Sequence, residues 1–516
     1  MRTRSYEYGL ATASGALLAF SFPRFGHPAF AWIALAPLLV ALRAATLGRA
    51  FTLGLITGLI YFTGTLYWIT GVMVHYGDLQ TAVAVPVNAA LVAFLALFPA
   101  VFALLTRRIA IAHGSQAMVA APLVWVVTEL GRTHLFGGFP WVLLGYSQTT
   151  VLPVAQFASV FGVYGVSMLV AGVSTGLAMY ATAPATAGHY GRGRPLFLVL
   201  VAVCGVAAWG ARRAGAAEMT RAGDAIRVGL IQGNVDQNEK MDARRAGGSV
   251  SIFESYLSMT RRAIGEGAQF VIWPESAAPF RFEDDPMSAS RVRRLAQEAH
   301  VTILLGSDQL ERDTAGLPSK YYNAAFLVRP DGTTGGAYRK MHLVPFGEYV
   351  PLKQVFFFAG PLVQAVSDFA AGETATLLPV DGHQVSTAIC YEIVYPDLVR
   401  RFVTGGSELL TTITNDAWFG PTSAPYQHFE QASMRAIEEG RYLVRSANTG
   451  ISGIVDPYGR VLERTAIFEP AVLVGEARFL RTSTFYARHG DVLPYASVVV
   501  TLALVVTARR RNGRVK

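Results

Sequence analysis

Three short stretches in the second half of this 516-residue chain hold residue types that together could carry out acyl transfer. Thr387-Ala388-Ile389-Cys390-Tyr391-Glu392 is an apolar run that delivers a thiol at its end, and Val271-Ile272-Trp273-Pro274-Glu275-Ser276 delivers a carboxylate in the same way. Tyr338-Arg339-Lys340-Met341-His342-Leu343-Val344-Pro345-Phe346-Gly347-Glu348-Tyr349 sets an ammonium a short way ahead of a second carboxylate. A thiol attacks a carbonyl well only as thiolate, so it needs a base or a nearby cation. A carboxylate can take that proton, and a lysine ammonium can stabilise the oxyanion of a tetrahedral intermediate. Glu275, Lys340 and Cys390 thus cover base, electrophile and nucleophile without a cofactor or a metal. Taken singly, each residue has a plainer reading. A buried cysteine is usually a small core hydrophobe, a glutamate after Trp-Pro often caps a turn, and a lysine beside an arginine is normally solvated.

Chemistry of this kind needs rigid elements that bring distant residues together, and strand ends opening on a crevice are the usual device in α/β folds. Residues 226–235, 270–273, 301–306, 324–328, 384–390 and 409–414 read as short strands, with amphipathic helices over 251–264 and 288–299 between them. Asp331-Gly332 and Asp456-Pro457-Tyr458-Gly459 are turn signals inside hairpins. Strands alternating with helices predict a layered α/β domain.

The rest of the chain has another texture. Hydrophobic residues make up 52% of the chain and charged residues 15%, against about 25% charged in average soluble domains. A membrane span takes roughly 20 apolar residues, and candidate runs lie at 8–23, 29–46, 51–75, 81–106, 116–131, 150–183, 195–211 and 492–508. The net charge of +9 does not point to nucleic acid, because much of it sits beside these runs: Arg43 and Arg49, Arg107 and Arg108, Arg192 and Arg194, and the tail from Arg509. Such clusters mark cytoplasmic loops. Threading eight helices alternately puts both termini and all the Arg clusters on that side. Three parts are therefore expected: residues 1–217, a membrane domain of seven helices; residues 218–485, the α/β domain outside the cytoplasm; and residues 486–516, a last span with a basic tail. The two cysteines, Cys204 and Cys390, can build neither a disulfide framework nor a zinc site.

The order Glu275, Lys340, Cys390 resembles the nitrilase superfamily, whose Glu-Lys-Cys triad stands in this order on an αββα sandwich. Leu343–Pro351 (Leu-Val-Pro-Phe-Gly-Glu-Tyr-Val-Pro), Cys390-Tyr391-Glu392 and Thr414–Gly420 (Thr-Asn-Asp-Ala-Trp-Phe-Gly) are similar to the apolipoprotein N-acyltransferases, membrane-embedded members of that superfamily. Gln232-Gly233-Asn234, Gly138-Phe139-Pro140-Trp141 and Arg445–Gly450 extend the likeness over nearly the whole chain. One departure is Met241, which follows Gln237-Asn238-Glu239-Lys240 where members of that family often carry tryptophan.

The resemblance implies a ping-pong reaction in a multi-pass protein of the bacterial cytoplasmic (inner) membrane, with the catalytic domain on the periplasmic side. Cys390 would take an acyl chain from a phospholipid, typically phosphatidylethanolamine, and pass it to the α-amine of a diacylglyceryl-modified apolipoprotein. Glu275 would be the base, and Lys340 with the Tyr391 N–H would hold the oxyanion. Glu348 would hold Lys340 and position the amine, Glu392 would anchor the turn, and Trp418 would wall the acyl pocket. The apolar stretch Val355–Leu362 could dip into lipid as an arm. Other readings stand beside this one: a membrane-tethered nitrilase-like amidase acting on a small amide, a transporter or scaffold with an inert domain, and an acyl carrier.

Overall fold

The computed structural model describes residues 4–77, 79–183, 188–236, 249–345, 347–349 and 369–513. The chain divides into two compact units. One comprises Met1–Thr70, Thr81–Ala216 and Thr484–Lys516, the other Gly71–Gln80 and Ala217–Ser483.

The first unit is helical, as its apolar composition dictates, but local chemistry shortens several of its helices. Among the described residues, five helical segments are long and apolar enough to cross a bilayer: Leu47–Leu66, Thr81–His113, Ala158–Thr182, Gly193–Arg221 and Val492–Arg510. The other three expected spans form shorter helices. Arg4–Ala19 has 16 residues, and its first turn buries Glu7 against Arg49 at 3.1 Å. The run 29–46 is cut at Leu35, where Ala31–Ala34 ends and Ala36–Leu42 begins again with Pro37 in its first turn. Proline is tolerated there because those N–H groups have no partner within the helix. The run 116–131 becomes the 14-residue helix Ala121–His134, opened by Pro122. Close packing elsewhere rests on small residues. A Cβ added at Gly54 would collide with the Pro99 carbonyl, and one at Gly58 would lie 2.7 Å from Ala96 Cα. Between lipid-embedded helices, such backbone approach supplies the dispersion contact that water exclusion cannot.

The second unit is built on the strands β1 (Ala225–Gln232), β2 (Phe270–Ile272), β3 (Thr302–Arg312), β4 (Pro318–Val328), β5 (Thr334–Arg339), β6 (Leu378–Val380), β7 (His383–Ile389), β8 (Leu409–Thr414), β9 (Leu443–Ala447), β10 (Gly453–Val455), β11 (Val461–Arg464) and β12 (Ala471–Arg478). They form two six-stranded sheets, ordered β12-β1-β2-β3-β4-β5 and β11-β10-β9-β8-β7-β6. In each sheet three consecutive strands are parallel, β1-β2-β3 and β7-β8-β9. Parallel neighbours need a crossover. Ser249–Gly265 and Pro286–Ala299 supply it in the first sheet, Pro396–Thr404 and Ala424–Glu439 in the second.

The sheets pack face to face. Ser446 on β9 donates its hydroxyl toward the carbonyls of Ile231 on β1 (2.9 Å) and Ile272 on β2 (3.1 Å). On the outer side of the first sheet, Ile252, Phe253, Tyr256 and Leu257 join Val271, Trp273, Ile303 and Leu305 in one buried core. The layers run helix–sheet–sheet–helix, the αββα sandwich expected from the resemblance.

Six of these strands, β5, β6 and β9 to β12, lie outside the runs read as strands from the sequence. Thr-Gly-Gly-Ala opens β5 and Arg445 stands inside β9, so neither shows an apolar run. β3 and β4 run well beyond 301–306 and 324–328, because their polar ends pair with each other from Ser307↔Ala324 to Arg312↔Pro318.

Candidate active site

Glu275, Lys340, Cys390 and Asn415 all lie just past the C-terminal ends of strands, namely β2, β5, β7 and β8. Crossovers keep β2 parallel to β3 and β7 parallel to β8, and two antiparallel connections return β5 to the direction of β3, so residues far apart in the chain meet at one edge of the sandwich.

Lys340 enters from the end of β5, where its N–H donates to the Asn323 carbonyl at 2.8 Å. Its side chain is 1% exposed and its Nζ lies 2.8 Å from Glu348 Oε1 and 3.6 Å from Glu275 Oε1. Burial works against the ammonium, but Glu348 and then Glu275 outweigh it and hold Lys340 above the ordinary lysine value. Glu275 follows Trp273-Pro274, and its loop crosses β3 at Gly306, where a Cβ would press on Pro274 O, Ser276 N and Glu275 Cα. Its Oε1 accepts from Asn323 Nδ2 (2.7 Å) and its Oε2 from the Asn415 N–H (2.8 Å). Glu348 shares the same amide, accepting from Asn323 Nδ2 at 3.0 Å, and its Oε2 accepts from the Val344 N–H at 2.8 Å.

Cys390 leaves β7 in a left-handed conformation, φ +54°, which side-chain-bearing residues seldom adopt. Strain of this sort persists only where the surroundings impose it, and it gathers at functional sites. Burial pushes the thiol well above its ordinary value, the charge of Glu275 adds to that, and Lys340 opposes it. Burial and Glu275 thus favour the thiol over the thiolate at Cys390.

Glu392 is fully buried and ties two of these elements together. Its Oε1 accepts from Tyr338 Oη (2.8 Å) and from the N–H groups of Met341 (2.6 Å) and His342 (3.0 Å). Its Oε2 accepts from the Ile389 N–H at 2.7 Å. One carboxylate thus links the segment after Lys340 to the strand end before Cys390. Burial raises its pKa to about 7 despite these donors.

Tyr391 is buried, with its ring edge-on to Tyr395. Trp418 is half-buried on the turn after β8, its ring 5.2 Å from that of Tyr76. The Tyr76 hydroxyl also donates to the Ala417 carbonyl at 2.8 Å, so Tyr76 holds this turn by both ring and hydroxyl. Met241 and Val355–Leu362 lie outside the described residues. Glu275, Lys340 and Glu348 are in direct contact through Lys340 and Asn323, and Glu392 stands one link behind them.

Asn323 and Asn415 escaped the sequence reading. For Asn323 the signal was a polar residue among the apolar positions that end β4; for Asn415 it was a place at the end of a strand, like that of Cys390. No group of three or more His, Cys, Asp or Glu residues that could hold a metal occurs among the described residues.

Comparison with known proteins agrees in both halves of the chain. The family described as Apolipoprotein N-acyltransferase N-terminal domain matches residues 14–176, and the Carbon-nitrogen hydrolase family matches residues 227–482. An apolipoprotein N-acyltransferase of Geobacter metallireducens is 42% identical over 98% of this chain and 96% of its own. One from Methylococcus capsulatus is 36% identical over 98% of this chain and 96% of its own. A solved amidase from Nesterenkonia sp. is similar at 22% identity, covering 50% of this chain and 93% of its own with a TM-score of 0.38.

Proposed function

Because this chain belongs to the apolipoprotein N-acyltransferase family, we propose that it moves a fatty acyl chain from a membrane phospholipid, through a thioester on Cys390, to the α-amine of the N-terminal diacylglyceryl-cysteine of an apolipoprotein. The observation that supports this reading best is the buried Lys340 ammonium clasped by Glu348 and Glu275 at the strand ends that also carry Cys390.

Glu275 takes the thiol proton as Cys390 Sγ attacks the ester carbonyl. The ammonium of Lys340, with the Tyr391 N–H, stabilises the tetrahedral oxyanion. A preformed donor of this kind is typically worth about 3–4 kcal/mol of barrier. Collapse expels the lysophospholipid oxygen, which takes the proton back from Glu275. The amine of the second substrate then attacks the thioester, Glu275 removes its proton, and Cys390 leaves as thiolate and is reprotonated. Glu348 holds Lys340 in place and helps position the amine, Glu392 keeps the two strand ends in register, and Trp418 lines the acyl path. Phosphatidylethanolamine is the proposed donor.

The decisive assay gives the protein phospholipid carrying a labelled acyl chain together with a diacylglyceryl-cysteine peptide. The label should move to the peptide amine. Release only as free fatty acid, or turnover confined to small amides, would replace transfer by hydrolysis.

We assign residues 1–217 and 486–516 to the membrane, with eight spans in all, and residues 218–485 to catalysis on the periplasmic side of the cytoplasmic membrane. The Arg clusters flanking the spans support that orientation. A reporter active only outside the cytoplasm should work when fused near Gly332, and a cytoplasmic one after Lys516. Both fusions reporting from one side would sink the assignment.

A further inference from the structure

The strained turn at Cys390 is gripped from behind by a buried set of charges that the proposed reaction does not use. His428 Nε2 lies 3.2 Å from the carbonyl oxygen of Cys390. A carbonyl only accepts, so Nε2 carries the hydrogen. The other ring nitrogen, Nδ1, lies 3.0 Å from Asp416 Oδ1 and 3.0 Å from Arg445 Nη2. Arg445 Nη2 donates to Asp416 Oδ2 at 2.9 Å, and Thr414 Oγ1 donates to Asp416 Oδ1 at 2.9 Å. The side chains of His428, Asp416 and Arg445 are all 0% exposed. Burial would raise the Asp416 carboxyl, but Arg445 and then His428 hold it down at about 2, so it is ionised.

Three neighbouring elements converge here: the turn after β8 carries Asp416, the helix Ala424–Glu439 carries His428, and β9 carries Arg445. Gly450 closes the far side, since any Cβ there would collide with the Asp416 carboxylate. Burying three ionisable groups is costly unless their mutual geometry is good. One of the outward contacts of this set is to the backbone oxygen of the residue with φ +54°; another is from Arg445 Nε to the Ile451 carbonyl at 3.2 Å.

We propose that His428, oriented by Asp416 and Arg445, is a positioning residue for the nucleophile. By holding the Cys390 carbonyl it fixes the left-handed turn that aims the Cys390 thiol and the Tyr391 N–H at the reacting carbonyl. This inference rests on Cys390 being the nucleophile of the proposed function. His428 touches no substrate and transfers no proton.

The test uses the full chain with Cys204→Ala, so that Cys390 is the sole thiol. Three quantities are read: the first-turnover rate of thioester formation from phospholipid, the alkylation rate of Cys390 by iodoacetamide, and the melting temperature. His428→Phe fills the space without a donor, whereas His428→Gln returns an N–H near the position of Nε2. His428→Phe should slow thioester formation about 100-fold, the scale of a reacting group misplaced by about 1 Å. The phospholipid concentration that gives half the maximal first-turnover rate should be unchanged, and the alkylation rate should fall with thioester formation. His428→Gln should recover most of both rates, even where its melting temperature matches that of His428→Phe.

Thioester formation in His428→Phe within about threefold of the parent, a change of under 1 kcal/mol in barrier, would overturn the proposal. So would equal losses in the Phe and Gln variants that track their melting temperatures, since that is the mark of a merely structural role. Should the parent protein form no thioester at all, the proposed function fails instead, and the alkylation ratio of the two variants still decides whether the grip exists.

Discussion

Cys390→Ala should abolish hydroxylamine-sensitive acyl labelling and N-acylation together, by about 10⁴-fold or more, as loss of a covalent nucleophile does elsewhere. Cys204→Ala should retain both, because Cys204 is exposed on the helix Gly188–Ala216 of the other unit. The loss should come with little unfolding. Removing one sulfur leaves a small void, an effect on the order of 1 kcal/mol, and the backbone partners of the Cys390 turn remain. Cys390→Ser tests the same point with the volume kept. A hydroxyl is far harder to ionise than a thiol, and burial already disfavours the anion at this position, so serine should also form no detectable acyl-enzyme. Intact mass after exposure to phospholipid reads the result directly as one acyl chain added or none. A labelled Cys390→Ala protein would remove Cys390 from the role of nucleophile.

Lys340→Met is expected to cost about 10³-fold in single-turnover acylation, the scale of losing a preformed oxyanion donor. It should also destabilise the fold, because the single variant leaves Glu275 and Glu348 buried around one shared amide, Asn323 Nδ2, with their cation gone. Breaking a buried ion pair from one side typically costs about 3–5 kcal/mol. The double variant Lys340→Met/Glu348→Gln removes one carboxylate with the cation. It should melt higher than the single variant yet remain unable to form thioester, which separates the catalytic loss from the folding loss. Near-normal acylation in folded Lys340→Met would take the oxyanion role away from Lys340.

The pH dependence of that stabilisation follows from its sign. Lys340 has a folded-state value raised above the unfolded one. Its contribution is therefore complete below the unfolded lysine value of about 10.4 and is lost only as pH rises through the higher folded value. Between neutrality and pH ~10, alkaline loss of activity should not come from Lys340.

Much of this protein can be read along the chain. The runs at 226–235, 270–273, 384–390 and 409–414 became β1, β2, β7 and β8, their buried positions filled mostly by aliphatic side chains, with the hydroxyls of Thr387 and Thr411 hydrogen-bonded between neighbouring strands. The turn Asp331-Gly332 is the hairpin between β4 and β5, with Gly332 at φ +80°. Less legible were strands whose identity comes from their neighbours. β5 opens Thr-Gly-Gly and is held by pairing with β4; β9 carries Arg445 in its middle because Asp416 and His428 await it. Helix lengths in the first unit went the same way: hydropathy marked each apolar run, whereas the prolines at 37 and 122 open the short helices Ala36–Leu42 and Ala121–His134.

The candidate site divides along the same line. That Cys390 and Glu275 are a thiol and a carboxylate at the ends of strand-like runs, and Lys340 an amine shortly before Glu348, is a local property, carried by a few adjacent residues each. Which partner each one meets is not local. Asn323 reaches Glu275 across 48 positions, His428 reaches the Cys390 carbonyl across 38, and the Asn415 N–H reaches Glu275 across 140. A hydrogen bond tolerates only about 0.5 Å of error in reach. Contacts that exacting depend on sheet register and on the crossovers that bring strand ends together. Local patterning therefore states which groups can react, and the packing of two sheets decides which of them are held, charged and aimed.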